Sequence, residues 1–323
     1  MYRYLFHRIL QIAITMFLLI AMVFILFRVM PGDPASMVLD PKMPPEAKAL
    51  MKKQLGLDEP IYSQFIIYMK NLLHGDLGRS FYYGRPVYDV IMERLPNTIL
   101  LFTSATIISW GLGYALGKRI AWRRGTRFEH ALTFMGLLFY SVFLPWFGLI
   151  MIWIFSYRLG LFPLGGMITP ELWTAGGAGI IALVLDVLHH LALPLFVLTL
   201  LSFAGAMLLM RSSMLETLRE DYILTARAKG LSEKVVRDKH AARNALLPMV
   251  TALALSLSFS MSGGVLTETV FSWPGLGKEI VSATLNYDYP LAQAAFIFLA
   301  AIVLMANLVA DIIYAYLDPR IRY

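Results

Sequence analysis

Six stretches of the sequence are long and apolar enough to cross a membrane as helices, and polar segments separate them. A helix needs about 20 apolar residues to span the hydrocarbon core of a bilayer. The predicted spans are Ile9–Val29, Thr98–Gly117, His130–Phe155, Leu191–Met210, Ala245–Phe271 and Leu291–Leu317. Hydrophobic residues make up 58% of the 323 residues and charged residues 15%, whereas soluble domains carry about 25% charge. The pattern predicts an all-α integral membrane protein with six transmembrane helices.

Lysine and arginine predict the orientation of these spans. Arg3 and Arg8 precede the first span, and Arg320 and Arg322 follow the sixth. The loop between the second and third spans, KRIAWRRGTR, has five basic residues and no acidic one. We therefore predict that both termini are cytoplasmic. The net charge of +7 then reflects topology rather than nucleic-acid binding. The first span runs into MPGDP rather than a signal-peptide cleavage site, so we expect it to be retained.

The predicted topology divides the chain into regions. These are residues 1–29 with the first span, an external loop of residues 30–97, and a five-span core of residues 98–323 that includes a cytoplasmic segment, residues 211–243. Within the external loop, PPEAKALMKKQLG (44–56) and Pro60–Gly75 have helical patterns. Two interpretations remain open for them: a cap or partner surface at the external mouth, and an interfacial helix lying on the membrane.

The sequence lacks the motifs of an enzyme. The segment Gly113–Arg119, GYALGKR, approaches a P-loop but has one residue too few between its glycines and Arg119 in place of serine or threonine. There is no cysteine and no nucleophile elbow. His189 and His190 point about 100° apart on a helix, which favours an interfacial position over metal ligation. We predict no catalytic residue, no metal and no cofactor in this chain.

Few ionisable residues fall within the predicted spans. Arg28 and Glu268 lie near the outer ends of spans one and five, and Asp311 lies one turn beyond Asn307 in span six. We expect Asn307 and Asp311 to hydrogen-bond to a neighbouring helix. Because none of these residues is at the midplane, the sequence disfavours an ion-coupled carrier.

Glycine and proline positions predict how the spans pack. Gly113 and Gly117 form a small-residue motif on span two. Gly263 and Gly264 are expected to interrupt span five. Pro145 is expected to kink span three, and Pro194 is expected to kink span four.

The cytoplasmic segment, residues 211–243, has the pattern of two helices with a turn. MLETLREDYILTARAK reads as one helix that Gly230 ends at its C′ position. Ser232 is placed to cap a second helix, with Glu233 in its first turn, that runs towards Pro248.

Three interpretations of this segment compete. It could be an amphipathic hairpin on anionic lipid, a topology determinant, or a rigid docking element for a cytoplasmic protein. Five acidic residues interleave with the basic ones between Glu216 and Asp238, which is atypical of a lipid-binding face. The residues alone favour docking modestly.

The string TARAKGLSEKVVRDKHAARNALLP resembles the cytoplasmic loop motif of binding-protein-dependent ABC importer permeases. It is most similar to the peptide/nickel branch, in particular to the B-type subunit of dipeptide and oligopeptide permeases. Where the broader family has Glu-Ala-Ala, this chain has Thr225–Gly230, the variant usual in that branch. Further family-like strings occur in order along the chain: FRVMPGDP, LGLDEPIYSQF, GDLGRSF, ERLPNT, RSSMLE and ETVFSWPGLG.

The resemblance implies a fold and partners. The fold is that of a type I ABC importer permease. The partners are a second, similar permease, two cytoplasmic ATPase subunits that hold ATP and magnesium, and an extracytoplasmic substrate-binding protein. The coupling helix that enters an ATPase groove would consist of Leu224, Thr225, Ala226, Arg227, Ala228, Lys229, Gly230 and Leu231. Gly230→Pro, or a bulky residue at Ala226, is then expected to uncouple transport.

Structural or gating roles are assigned to residues of the outer and membrane regions. They are Pro145, Glu268, Pro274, Gly275, Asn307 and Asp311. The cargo implied by the resemblance is di- and oligopeptides, with oligosaccharides, glutathione and nickel chelates as alternatives. A stand-alone channel or secondary carrier and a scaffold protein are the competing classes.

Overall fold

The computed structural model describes residues 2–29, 59–174, 179–260 and 263–317. The regular secondary structure of this part of the chain is helical, apart from one isolated bridge between Arg79 and Pro86. The helices are α1 Tyr2–Val29, α2 Ile61–Leu73, α3 Val87–Trp122, α4 Arg127–Ser141, α5 Leu144–Arg158, α6 Pro170–Thr174, α7 Ile180–Thr217, α8 Asp221–Ala228, α9 Glu233–Ser260, α10 Val265–Val270, α11 Leu276–Leu285 and α12 Tyr289–Leu317. The predicted all-α class is confirmed.

Five of the described helices, α1, α3, α7, α9 and α12, are each long and apolar enough to cross a membrane, and the bent pair of α4 and α5 makes a sixth if it is counted as one span. Each predicted span therefore coincides with a helix or helix pair. Several helices extend well beyond the apolar stretch. For example, α3 begins at Val87 rather than at Thr98, and α7 begins at Ile180 rather than at Leu191.

The third span is broken rather than kinked. Helix α4 ends at Ser141, α5 begins at Leu144, and the two axes differ by 101°. Pro145 occupies the first turn of α5, where its missing N–H costs no intrahelical hydrogen bond. The expected kink within one helix is therefore wrong, because Pro145 begins a new helix. Pro194, in contrast, lies inside the continuous helix α7.

The fifth span ends before the predicted Phe271. Helix α9 ends at Ser260, and Gly263 and Gly264 precede the short helix α10. Gly263 has φ +69°, a conformation that favours glycine. The predicted interruption at these glycines is thus confirmed.

The centre of the bundle is the packing of α3 against α7, the most extensive helix pair among the described residues. A Cβ added at Gly113 would lie 2.5 Å from the Cβ of Ala206, and one at Gly117 would lie 2.5 Å from the carbonyl oxygen of Met207. The glycines of the predicted small-residue motif therefore allow the two backbones to approach closely.

We expect Gly117→Ala to lower the free energy of unfolding by about 1–3 kcal/mol, because its methyl group would push α3 away from α7. Thermal unfolding of the purified chain in detergent measures this. Gly111→Ala on the same helix is the matched control, since nothing lies within 4 Å of its added Cβ. Equal stability of the two variants would refute the close-packing explanation.

Helix α2 confirms one of the two predicted helices of the external loop and lies beside α1. The Phe65 ring is 5.2 Å from that of Phe24 and 6.1 Å from that of Phe17, centroid to centroid. The other predicted helix, residues 44–56, lies outside the described residues.

Candidate functional site

Helix α8 is held against the rest of the chain by two apolar residues. Ile223 is fully buried and Ala226 is 4% exposed. Both belong to a buried cluster with Met210 and Met214 of α7 and Val236 of α9. The helix is therefore fixed on the end of the bundle rather than projecting freely.

The turn after α8 depends on Gly230. The φ angle of Gly230 is +72°. The Gly230 N–H donates to the carbonyl of Arg227 at 2.9 Å, and the Leu231 N–H donates to the carbonyl of Ala226 at 3.4 Å. This is the hydrogen-bond pattern of a Schellman motif, with glycine at C′. The predicted helix end is confirmed. Ser232 does occupy the N-cap of α9, but its side chain makes no capping hydrogen bond.

Charged contacts tie this turn to α3. The Arg227 guanidinium lies 5.8 Å from the Trp122 ring centroid and pairs with Glu233 at 3.3 Å. Lys118 Nζ lies 3.1 Å from an Asp238 oxygen. The Lys118–Asp238 pair links the end of α3 to α9 on the same side as α8, and Arg237 on α9 also pairs with Asp238 at 2.8 Å. We call this side the basic end.

The predicted single helix over MLETLREDYILTARAK is wrong. Helix α7 ends at Thr217, three residues form a turn, and α8 begins at Asp221. This turn shifts the helical phase, so that seven of the eight predicted docking residues are exposed and Ala226 faces inward. The exposed face has an apolar part, with Leu224 61% and Leu231 37% exposed.

The buried position of Ala226 predicts that a bulky residue there lowers the stability of the chain, in addition to the expected uncoupling of transport. Ala226→Leu should lift α8 from its apolar contacts and lower the free energy of unfolding by about 1–3 kcal/mol, because the buried site has no room for the larger side chain. The matched control is Ala228→Leu, at an exposed position of the same helix. Thermal unfolding of both variants tests this. Equal losses would show that α8 is not seated through Ala226.

Arg211 and Glu129 form a second link at the basic end, which the sequence did not predict. Arg211 Nε lies 2.7 Å from Oε1 of Glu129, and the Gly125 N–H donates to Oε2 at 2.6 Å. The Glu129 side chain is almost fully buried. This pair joins the start of α4 to α7. The only sequence signal was the family-like string RSSMLE.

At the opposite end of the bundle, Glu268 of α10 is fully buried. The Thr98 hydroxyl donates to its Oε1 at 2.7 Å and the Lys278 N–H to its Oε2 at 2.8 Å. The Thr98 oxygen in turn accepts the Leu276 N–H at 2.8 Å. A Cβ at Gly275 would overlap the Glu268 carboxylate, so only glycine fits there.

Two reciprocal hydrogen bonds complete this arrangement. The Trp273 indole N–H donates to the Asn97 carbonyl at 2.9 Å, and the Asn97 amide donates to the Pro274 carbonyl at 2.9 Å. We refer to Asn97, Thr98, Glu268, Trp273 and Gly275 as the Glu268 cluster. Of the predicted gating residues, Glu268, Pro274 and Gly275 are brought together here. Asn97, Thr98 and Trp273 were missed, although all three lie in the strings ERLPNT and ETVFSWPGLG.

Asp288 forms a neighbouring arrangement on the same end. It is fully buried and accepts hydrogen bonds from the Ser80 hydroxyl, from the Phe81 N–H at 3.1 Å and from the Tyr82 N–H at 3.2 Å. The segment between α2 and α3 is thereby fixed to the start of α12. This residue was also missed, because one sequence gives no pairing between positions so far apart.

A groove of about 440 Å³ lies among α3, α7 and α9. Its polar lining consists of hydroxyl groups, including those of Thr106, Ser109, Ser202 and Ser256, and Trp110 and Phe259 supply aromatic surface. Among the described residues, no charged side chain lines it. The groove therefore offers hydrogen bonds and apolar contact without selecting for charge.

The remaining predicted gating residues do not belong to the Glu268 cluster. Pro145 begins α5, and Asn307 lines a separate cavity with Arg8, Gln11 and Thr15. The side chain of Asp311 is not among those that the structure describes, and Arg320 and Arg322 lie outside the described residues.

The two adjacent histidines have different partners. His189 donates from Nε2 to the Leu161 carbonyl at 2.8 Å, whereas His190 donates from Nδ1 to the Asp186 carbonyl at 2.9 Å. Within the described ranges, no group of three or more histidine, aspartate or glutamate side chains is placed to hold a metal ion.

These features define a class of protein: a multi-span helical membrane protein with a short helix seated on its basic end and a hydroxyl-lined groove between its spans. Residues 107–323 match the family described as "Binding-protein-dependent transport system inner membrane component", and residues 1–102 match the N-terminal region of such components. The chain belongs to this family, and it is a multi-pass transport permease subunit of the plasma membrane. Such systems include a substrate-binding protein.

The chain matches several curated relatives over nearly their whole length. The chain is 39% identical to the oligopeptide transport system permease protein AppB of Bacillus subtilis, with 93% of each chain covered. It is 37% identical to the di/tripeptide transport system permease protein DppB of Pseudomonas aeruginosa, with 96% of this chain and 95% of the relative covered. Identity to the dipeptide transport system permease protein DppB of Escherichia coli is 35%, with 93% of each covered.

Proposed function

We propose that this chain forms half of the translocation path of an ATP-driven importer of di- and oligopeptides. The observation that carries the proposal is α8, a short helix seated by Ile223 and Ala226 that presents Leu224 and Leu231 outward. A seated helix with an exposed apolar face can transmit movement from a partner because it cannot bend away under load.

In this proposal the basic end faces the cytoplasm, in accord with the arginine and lysine distribution. Residues 224–231 enter a groove of one of two ATPase subunits, which bind ATP and magnesium, while this chain binds neither. The movement of α8 passes directly to α7 and α9, since the same apolar cluster contains residues of all three helices. A second, similar permease completes the path.

The opposite end then faces the substrate-binding protein. The Glu268 cluster and the Asp288 hydrogen bonds fix the segments between α2 and α3 and between α9 and α12 into one rigid surface. Such a surface suits a protein that must receive a docked partner without deforming.

The groove among α3, α7 and α9 supports peptides as cargo. Peptides share a backbone that hydrogen-bonds with hydroxyl groups, while their side chains vary in charge, so an uncharged lining admits many sequences. The names of the relatives, which refer to dipeptides, tripeptides and oligopeptides, point the same way. Oligosaccharides, glutathione and nickel chelates are the alternative cargoes.

The test is uptake by the complete complex in liposomes with its binding protein outside and ATP inside. We expect labelled dipeptide or oligopeptide to accumulate only with ATP and the binding protein, and unlabelled peptides to compete. Competition by an oligosaccharide, glutathione or a nickel chelate instead would overturn the peptide assignment. Uptake without ATP would favour a stand-alone channel or carrier.

A further inference from the structure

We propose that a cavity among α1, α2 and the start of α12 binds the phosphate of a phospholipid head group. The cavity has a volume of about 190 Å³ and lies at the end of the bundle opposite α8. Polar residues from all three helices line it, namely Arg28, Gln64, Tyr68, Asn71, Tyr289 and Gln293.

Arg28 supplies the positive charge of this cavity. It lies in the last turn of α1 and is partly buried, and its guanidinium is 5.3 Å from the Phe24 ring centroid. No carboxylate pairs with it in the described ranges. Asp76, which also lines the cavity, accepts the Gly78 N–H at 2.9 Å instead. A partly buried guanidinium with five donors and no carboxylate partner among the described residues is suited to a phosphate.

The other two helices provide neutral donors. Tyr68 and Asn71 lie three residues apart on one face of α2, and this face borders the cavity. Gln64 lies on the same face, but its amide group donates to the Glu59 carbonyl at 2.7 Å and is not counted among these donors. Burial raises the pKa of Tyr68 to about 12, and the phenol is therefore a hydrogen-bond donor over an even wider pH range than an exposed tyrosine. Tyr289 of α12 is 4% exposed, and its buried hydroxyl has no hydrogen-bond partner within the described part of the chain.

The surroundings of the cavity favour a lipid over a soluble anion. In the two turns of α1 before Arg28, Met22 and Ile25 are each more than half exposed. A phosphate at Arg28 would lie at the boundary of the hydrocarbon region, where the acyl chains could follow these apolar side chains. Inorganic phosphate shares the charged group but gains nothing from them.

The experiment uses the complete transport complex, delipidated in detergent. The complex is titrated with short-chain phosphatidylglycerol and, separately, with inorganic phosphate. Native mass spectrometry measures binding. The variants are Arg28→Gln, which removes the charge, and Arg28→Lys, which keeps it. Arg158→Gln is the matched control, because Arg158 ends α5 and also lies over an aromatic ring, that of Trp153 at 5.2 Å.

We expect phosphatidylglycerol to bind the unchanged complex and Arg158→Gln equally, to bind Arg28→Gln about tenfold more weakly, and to bind Arg28→Lys within about threefold of the unchanged complex. Inorganic phosphate should not bind at the same concentrations. Equal lipid binding by Arg28→Gln and Arg158→Gln would overturn the site. Equal binding of inorganic phosphate would overturn the assignment to a lipid.

Discussion

Replacing Leu224 with glutamate should reduce ATP-driven uptake at least about tenfold while the chain stays folded and in the membrane. Leu224 is 61% exposed on α8 and is not part of the apolar cluster that seats this helix, so the substitution leaves the contacts of Ile223 and Ala226 in place. In the assembled importer the same side chain would be enclosed by the ATPase subunit, and burying an unpaired carboxylate costs several kcal/mol. Uptake and ATP hydrolysis by the reconstituted complex, measured together, give the result.

Two comparisons make this prediction specific. Leu224→Met keeps the apolar contact and should retain uptake within about twofold. The melting temperature of Leu224→Glu should match that of the unchanged chain. Normal uptake by Leu224→Glu would mean that α8 does not dock through this face, whereas a lowered melting temperature would mean that Leu224 supports the permease itself.

Gly275→Ala should have the largest effect on stability, lowering the free energy of unfolding by about 2–4 kcal/mol. The added Cβ would overlap both carboxylate oxygens of Glu268, which has no free space because it is fully buried. Moving Glu268 aside would leave the Thr98 hydroxyl and the Lys278 N–H without their acceptor. Each buried polar group without a partner costs about 1–3 kcal/mol.

Thermal unfolding of the purified chain measures this effect. Gly179→Ala is the control, since Gly179 has an ordinary φ of −67° and nothing lies within 4 Å of an added Cβ. We expect Gly275→Ala to melt several degrees lower than this control. Indistinguishable melting temperatures would contradict the tight packing of Gly275 against Glu268.

The sequence predicted those features that depend on local chemistry. Apolar stretches of membrane length marked the spans, and the glycine after Lys229 marked the end of α8, because only a residue that tolerates positive φ suits that turn. The family-like strings identified the segments that meet at the Glu268 cluster, but not the pairing between them.

Features that depend on tertiary packing could not be predicted. The 101° break between α4 and α5 requires neighbours for both halves, so Pro145 alone indicated only a kink. The inward position of Ala226 follows from the turn between Thr217 and Asp221, which no glycine or proline marks. The contact between Thr98 and Glu268 joins residues 170 positions apart. One sequence carries no signal for such a pair.

The central claim is that the exposed face of α8 contacts an ATPase subunit, and cross-linking tests it most directly. The natural chain has no cysteine, so a single cysteine at Leu224 can carry a photoreactive maleimide without background. The control cysteine is placed at Leu73 on α2, which is 80% exposed at the opposite end. We predict that illumination of the complex links the Leu224→Cys variant to the ATPase subunit and does not link Leu73→Cys to it. Linkage from Leu73→Cys alone, or from neither position in a complex that transports, would contradict the account.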